Sequence, residues 1–309
     1  MPLTVFVGGI LFVVLLFFLF PPSAFPVHHS FEVKEGIYLM SLSQELAEQS
    51  IVRSPLLLRF FIRLFASERD IIAGTYFWEQ PLSTSVVAWR LTHGWFGIEP
   101  VKVTIPEGVT VREMAAILEK YLPTFAAEKF VLLATPLEGY LFPDTYFFPP
   151  DTTAEKVIDK MRANFKRQLM SLQPWIVASG LPLPDIITMA SLLEEEASLY
   201  DTRRVIAGIL WKRLASNMPL QVDAIFVYIL GKNSFELTTA DLQVDSTYNT
   251  YKYTGLPAGP ITNPGRESIL AAILPLDSPY WFYLSDRSGN MHYARDFNEH
   301  KANKQRYLR

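Results

Sequence analysis

The sequence predicts an α+β protein carried behind one apolar N-terminal span, and three observations lead there. The first is an uncharged stretch from Pro2 to Pro26 whose core, Leu3 to Phe20, is apolar for eighteen residues. The second is a set of short alternating or β-branched stretches, such as VKVTI at 101–105, placed between longer segments with helical spacing. The third is size: 309 residues with 50% hydrophobic content leave room for two domains behind the span.

Eighteen residues at about 1.5 Å each just cross a bilayer core of roughly 30 Å. No Lys or Arg precedes the run, and the following PPSAF is a poor small-x-small cleavage site. Residues 1–26 therefore read as an uncleaved anchor rather than a signal peptide. The first cation beyond it is Lys34, so charge bias barely encodes orientation.

Composition removes several classes of function. A net charge of -3 and scattered Lys and Arg give no basic stripe for nucleic acid. Cysteine is absent, so thiol catalysis, disulfides and cysteine-ligated metals are out. The five histidines, His28, His29, His93, His292 and His300, lack ligand spacing, and neither a metal nor a cofactor is expected.

Behind the anchor, FEVKEG predicts a strand. YLMSLSQELAEQSIV and PLLLRFFIRLF predict two amphipathic helices, the second suited to burial against a sheet. AGTYFW and VVAWRLTHG continue the α+β pattern. VKVTIPEGVTVREMAAILEKYL then predicts a strand, a turn at Pro106-Glu107-Gly108, and a helix capped by Thr110 with Val111, Met114, Ala115 and Leu118 facing inward.

Further along, TAEKVIDKMRANFKRQL predicts an outer amphipathic helix. A helix from Pro184-Asp185 ends in MASLLEEEA and pairs with TRRVIAGILWKRLASN, capped by Asp201 with Val205, Ile206, Ile209, Leu210 and Leu214 buried. LQVDAIFVYILG is rich in β-branched and aromatic residues. SILAAILPL is a buried helix or turn, YWFYLSD a strand, and NMHYARDFNEHKANKQRYL a charged closing helix.

Three segments carry candidate chemistry. At about 100° per residue, Ile186, Met189, Ala190, Leu193 and Ala197 share one face of the acidic helix, Glu195 points away to water, and Glu194 and Glu196 flank the stripe. A carboxyl on such a flank is partly desolvated, which favours its protonated form and suits a general acid. A solvated acidic helix end is the competing reading. EGYLFPDTYFF, if extended, sets Glu138, Tyr140, Phe142, Asp144 and Tyr146 on one side, either as core rings with rim acids or as a saccharide cleft. YNTYKYTGLPAGPITNPG, with three Pro and three Gly, reads as an ordered functional loop.

Several of these stretches agree with one family. ASLLEEE at 190–196 resembles the ASIVEKE signature of the endolytic murein transglycosylases, the YceG-like family. EGYLFPDTYFF and TIPEG stand upstream, and GILWKRL, MPLQVD, YNTY, GLPAGPITNPG and FNEH follow in the family's order. The resemblance covers nearly the whole chain from about residue 30. LQVDAI departs from the usual LQTDPT-like stretch, and Lys212-Arg213-Leu214 stands where Asn-Arg-Leu is usual.

The resemblance implies an anchor over 1–26, an N-terminal α+β region over 30–148 with a LysM-like subdomain at about 101–122, and a catalytic α+β domain over 149–309. It implies a single-pass inner-membrane protein with a periplasmic body, working beside peptidoglycan synthases. The implied reaction cuts peptidoglycan between N-acetylmuramic acid and N-acetylglucosamine within nascent strands, leaving a 1,6-anhydromuramyl end and ending strand growth. Glu194 carries the catalytic acid by motif position. Glu138, Asp144, Gln221, Asp223 and Asn249 are expected to position substrate, and Tyr140, Phe142, Tyr146 and Tyr248 to stack on it. A hydrolytic muramidase using Asp223 as a second carboxylate, or a non-catalytic glycan-binding scaffold, are the alternatives.

Overall fold

The computed structural model describes residues 20–67, 70–97, 100–150, 152–233 and 236–308. Apart from Phe20, the expected anchor run lies outside them. Among the described residues no single helix is long and apolar enough to cross a membrane. The chain divides into two units, Met1–Pro100 and Val101–Arg309.

In the first unit β1 (Ser30–Val33) pairs antiparallel with β2 (Gly74–Phe77), and three helices surround the pair: α1 (Leu39–Glu48), α2 (Pro55–Phe65) and α3 (Thr84–His93). Ser54 starts α2 by accepting from the Leu57 N–H, and Pro55 sits in its first turn, where no N–H partner is lost. Tyr76 and Trp78 are fully buried with Leu42, Leu46, Leu58, Ile62 and Leu91. Burial would strand the Tyr76 hydroxyl, but it donates to the Ile72 carbonyl at 2.8 Å.

One expectation fails here. α2 packs on α1 and α3 rather than on a sheet, and buries only Leu58 and Ile62. Its apolar residues occur on every side, so spacing alone could not say which side meets the core.

The second unit opens as the sequence predicts, with β3 (Val101–Thr104), the 106–108 turn and α4 (Val111–Tyr121). Thr110 and Glu113 cap α4 reciprocally, each side chain taking the other's backbone N–H, at 3.2 and 2.8 Å. α5 (Ala127–Ala134) leads to β4 (Thr145–Phe148), which returns antiparallel to β3 with Val101 opposite Phe148. Val103, Ile105, Met114, Leu118, Phe130 and Phe148 fill the space between them.

α6 (Ala154–Ser179) and α7 (Leu183–Glu196) meet with a 107° change of direction. α8 (Tyr200–Ala215), the short α9 (Ile225–Leu230) and α10 (Arg266–Ile273) complete the helical core, with α10 packed on both α7 and α8. β5 (Phe282–Ser285) and β6 (Met291–Ala294) form a hairpin before α11 (Phe297–Tyr307).

Several local expectations shift. Residues 225–230 are helical despite their β-branched content, because Ile225 and Phe226 are needed in the core beside α7. The closing segment begins as a strand, not a helix. α8 starts at Tyr200, so Asp201 lies inside its first turn rather than capping it. Its buried residues include Arg203 and Arg213, while Val205 and Leu214 are only half-buried. α7 buries every residue from Ile186 to Leu193, so it is a central helix, not an amphipathic one.

Candidate active site

At the C-terminal end of α7 the three glutamates separate. Glu194 turns inward: its Oε1 accepts from Arg203 Nη2 at 2.5 Å and its Oε2 from the Gly265 N–H at 2.7 Å. The paired side chains are 5% and 7% exposed, so this is a buried ion pair. Arg203 reaches back from the first turn of α8 and is fixed by a second bond, Nε to the Ala197 carbonyl at 2.6 Å. Gly265 is the N-cap of α10, so the Glu194 carboxylate also meets the positive end of that helix.

Two further acids converge on the same spot. Glu107, from the turn after β3, packs its carboxyl against Gly265, where any Cβ would overlap it. Burial, and then the charge on Glu194, raise the Glu107 carboxyl above its ordinary range. Glu195 is exposed, as helical angle predicted, but it also borders the site. A Cβ at Gly108 would lie 2.8 Å from its Oε1, and the Thr262 side chain is near it. Burial first, and then the Glu194 charge, push the Glu195 carboxyl up to about 7. Glu194 thus lies at the base of a small acidic group whose outer members, Glu107 and Glu195, carry exposed surface.

Glu196 faces elsewhere. Its carboxyl lies by Tyr283 on β5 and is pushed up to about 7, chiefly by burial. Nearby, Asp223 accepts from the Tyr251 hydroxyl, and Arg213 donates to the Trp281 and Leu220 carbonyls at 2.7 Å each. This second polar network ties α8 to the β5–β6 hairpin.

The extended face expected for EGYLFPDTYFF does not form. Residues 135–137 make a helical turn, Gly139 takes φ +84°, and only Thr145–Phe148 are strand. Gly139 is required there, since a Cβ would approach Pro260 to 2.5 Å. Glu138 is buried at the start of α4, accepting from the Val111 N–H at 3.0 Å and from Asn263 Nδ2 at 2.6 Å. Phe142 and Tyr146 are core residues, the Tyr146 hydroxyl donating to the Phe142 carbonyl at 2.6 Å. Asn249 is 1% exposed and serves its own loop, donating to the Leu242 and Val244 carbonyls at 3.1 and 2.8 Å.

The remaining expected residues keep accessible surface. Tyr140 packs edge-on against Phe165, and Tyr248 lies against Tyr228, both half-buried. Asp144 is exposed and accepts from Asn164 at 2.9 Å. Gln221 is exposed with φ +52°, its N–H donating to the Thr250 carbonyl at 3.1 Å.

Sequence reasoning missed Arg203, Glu107 and Asn263. Glu107 and Asn263 lie in stretches already singled out, the PEG turn and the ITNPG loop, where a polar residue within two positions of a glycine marks a close backbone approach. Arg203 carried no signal, because on α8 it reads as one more surface cation.

Glu138 gives a pH prediction. Burial pushes its carboxyl up to about 7 from an ordinary 4.5. Between those values the folded chain holds a proton that the unfolded chain has released, so this group's contribution is complete below about 4.5 and is lost as pH rises through about 7. Glu138→Gln keeps the shape and cannot ionise. Its thermal stability relative to the parent protein is expected to rise from about pH 5 to about pH 8; an unchanged difference counts against a buried protonated Glu138.

A central apolar helix ends here in a buried, ion-paired glutamate, beside two carboxyls whose proton affinity burial raises, a grouping that can exchange protons with a bound ligand. Residues 31–306 match the model of the YceG-like family, and the chain belongs to that family. An endolytic murein transglycosylase of Bacillus subtilis (strain 168) is 28% identical over 303 residues, covering 89% of this chain and 84% of its own. One from Streptococcus pneumoniae serotype 2 (strain D39 / NCTC 7466) is 28% identical over 313 residues, and the match spans 57% of that longer protein. The crystal structure of a putative YceG-like protein from Listeria monocytogenes superimposes with TM-score 0.60 at 28% identity, over 89% of this chain and 98% of that one.

Proposed function

We propose that this chain is a membrane-tethered endolytic lytic transglycosylase. It cleaves nascent peptidoglycan strands between N-acetylmuramic acid and N-acetylglucosamine, and Glu194 acts first as acid and then as base. The observation that carries this reading is the fixed, buried Glu194 at a site flanked by exposed acids, in a chain whose relatives are named endolytic murein transglycosylases.

In the proposed reaction the Glu194 carboxylate first takes up a proton from the solvent-facing side of the site, then passes it to the leaving glycosidic oxygen as the bond to the muramyl anomeric carbon breaks. The sugar's own 6-hydroxyl then bonds to that carbon and returns its proton to Glu194. No water is consumed and the product is a 1,6-anhydro ring. Arg203 and the Gly265 N–H hold the carboxylate formed midway, and burial raises the proton affinity of Glu107 and Glu195 close by.

We assign substrate contacts to the expected residues with accessible surface, Tyr140, Asp144, Gln221, Asp223 and Tyr248, and none to the buried Glu138, Phe142, Tyr146 and Asn249. The segment around 101–122, β3 and α4, is proposed as LysM-like, a reading supported by the α5 and β4 that follow it and by the antiparallel pairing of β4 with β3. Residues 1–26 are proposed as a single-pass inner-membrane anchor, with residues 30–148 and the catalytic 149–309 on the periplasmic side, near the synthases whose strands it ends.

The test is the mass of muramyl ends released from purified glycan strands by the full chain. Ends lighter by one water than a reducing sugar are expected. Reducing ends would make the protein a hydrolytic muramidase, and no release at all would leave it a glycan-binding scaffold.

Gly265→Ala probes the packing of the site. The backbone there has an ordinary φ of -77°, so the fold should survive, but the new methyl must displace the Glu107 carboxyl. An activity loss of about 10- to 100-fold with unchanged thermal stability is expected. Full activity would remove Glu107 from the machinery.

A further inference from the structure

The outward face of α2 is apolar without serving the core. On this helix Leu58 and Ile62 face inward, while Leu56, Phe60 and Leu64 are centred about 180° away. Those three are 70%, 58% and 64% exposed. Ordinary surface helices place charge there, and a contiguous exposed apolar strip marks an interaction surface.

Three observations say what covers it. The apolar N-terminal run ends at Phe20, and the next residue's carbonyl, Pro21 O, accepts both Nε and Nη2 of Arg53 at 3.1 and 3.0 Å. Arg53 stands two residues before α2, so the end of the apolar run is held one arginine side chain from the helix's first turn. From Ile51 to Ser67 the chain has Arg53, Arg59 and Arg63 and no Asp or Glu. Arg59 and Arg63 both border one side of the exposed strip, at about 100° and 60° from its centre.

We propose that α2 lies in the plane of an anionic membrane surface, with Leu56, Phe60 and Leu64 among the upper acyl chains and its arginines at the headgroups. This rests on the membrane-anchor reading of residues 1–26. It adds a second point of attachment, which fixes how the first unit sits on the bilayer instead of leaving it on a free leash.

The absence of cysteine makes the test direct, because one introduced thiol labels one site. The full chain is reconstituted in vesicles of phosphatidylglycerol and phosphatidylethanolamine. A polarity-sensitive fluorophore is placed at Val13→Cys, Phe60→Cys, Leu64→Cys or Met170→Cys, the last a 70% exposed position on α6. Phe60 and Leu64 are outside the core, so their replacement leaves it intact. With brominated lipid, labels at 13, 60 and 64 should lose most of their emission and the label at 170 should keep it.

Quenching at 13 with emission at 60 and 64 matching that at 170 overturns the α2 proposal and leaves the anchor standing. No quenching at 13 overturns both. Labels at 60 and 64 that are shielded from aqueous iodide, yet untouched by brominated lipid, assign the face to a protein partner and overturn the membrane proposal.

Discussion

Glu194→Gln is expected to lower kcat/KM on glycan strands by about 10²- to 10⁴-fold, the range in which a positioned proton donor works. Glutamine still offers an oxygen to Arg203 Nη2 or to the Gly265 N–H, so the site keeps its shape. It also leaves Arg203 without a countercharge, so some stability is lost, about 1–3 kcal/mol. Thermal unfolding measured alongside activity separates the two effects. Glu196→Gln is the control: its carboxyl is turned toward Tyr283, and a smaller loss is expected. Equal losses at both positions, or unchanged digestion by Glu194→Gln, would remove Glu194 from the role assigned to it.

The largest stability effect is expected at Asn263. Its side chain is fully buried and all four of its hydrogen bonds are internal. Oδ1 accepts from the Gly139 and Leu141 N–H groups at 2.9 and 3.1 Å, and Nδ2 donates to the Val109 carbonyl and Glu138 Oε1 at 3.1 and 2.6 Å. One amide therefore joins the loop before α10, the turn after β3 and the 138–141 segment, which are the walls of the site. Asn263→Ala strands several buried polar groups at once, and a loss of about 3–5 kcal/mol is expected. That should appear as a drop of roughly 10 °C in Tm. Asn263→Asp keeps the outline but sets a second carboxylate against Glu138. Its deficit should shrink as pH falls from about 7 to about 5, and a pH-independent deficit would contradict the contact.

These two residues differ in how far the sequence could disclose them. Glu194 stood out because an apolar helix ending in acids is unusual, and an ordered set of motifs chose it over its neighbours. Asn263 sat inside a recognised loop, but its partners lie at least 122 residues away in sequence, and no local pattern reports them. The same holds for Glu107 and Arg203. Each was read locally, as a turn residue and a helical cation, and each became part of the site only when distant segments met.

Taken alone, the sequence determined the α+β class, the β3–turn–α4 unit with its Thr110 cap, the positions of α7 and α8, and the acid at the end of α7. These follow from spacing, caps and turns, which act over a few residues. Only the tertiary structure decided that α7 is buried on all sides, that Glu195 stays with the site while Glu196 belongs to another network, and that Glu138 and Asn249 work inside the protein. Those outcomes depend on which buried donor or carbonyl a polar group can reach once the chain is folded, and desolvation enforces that choice without regard to separation along the sequence.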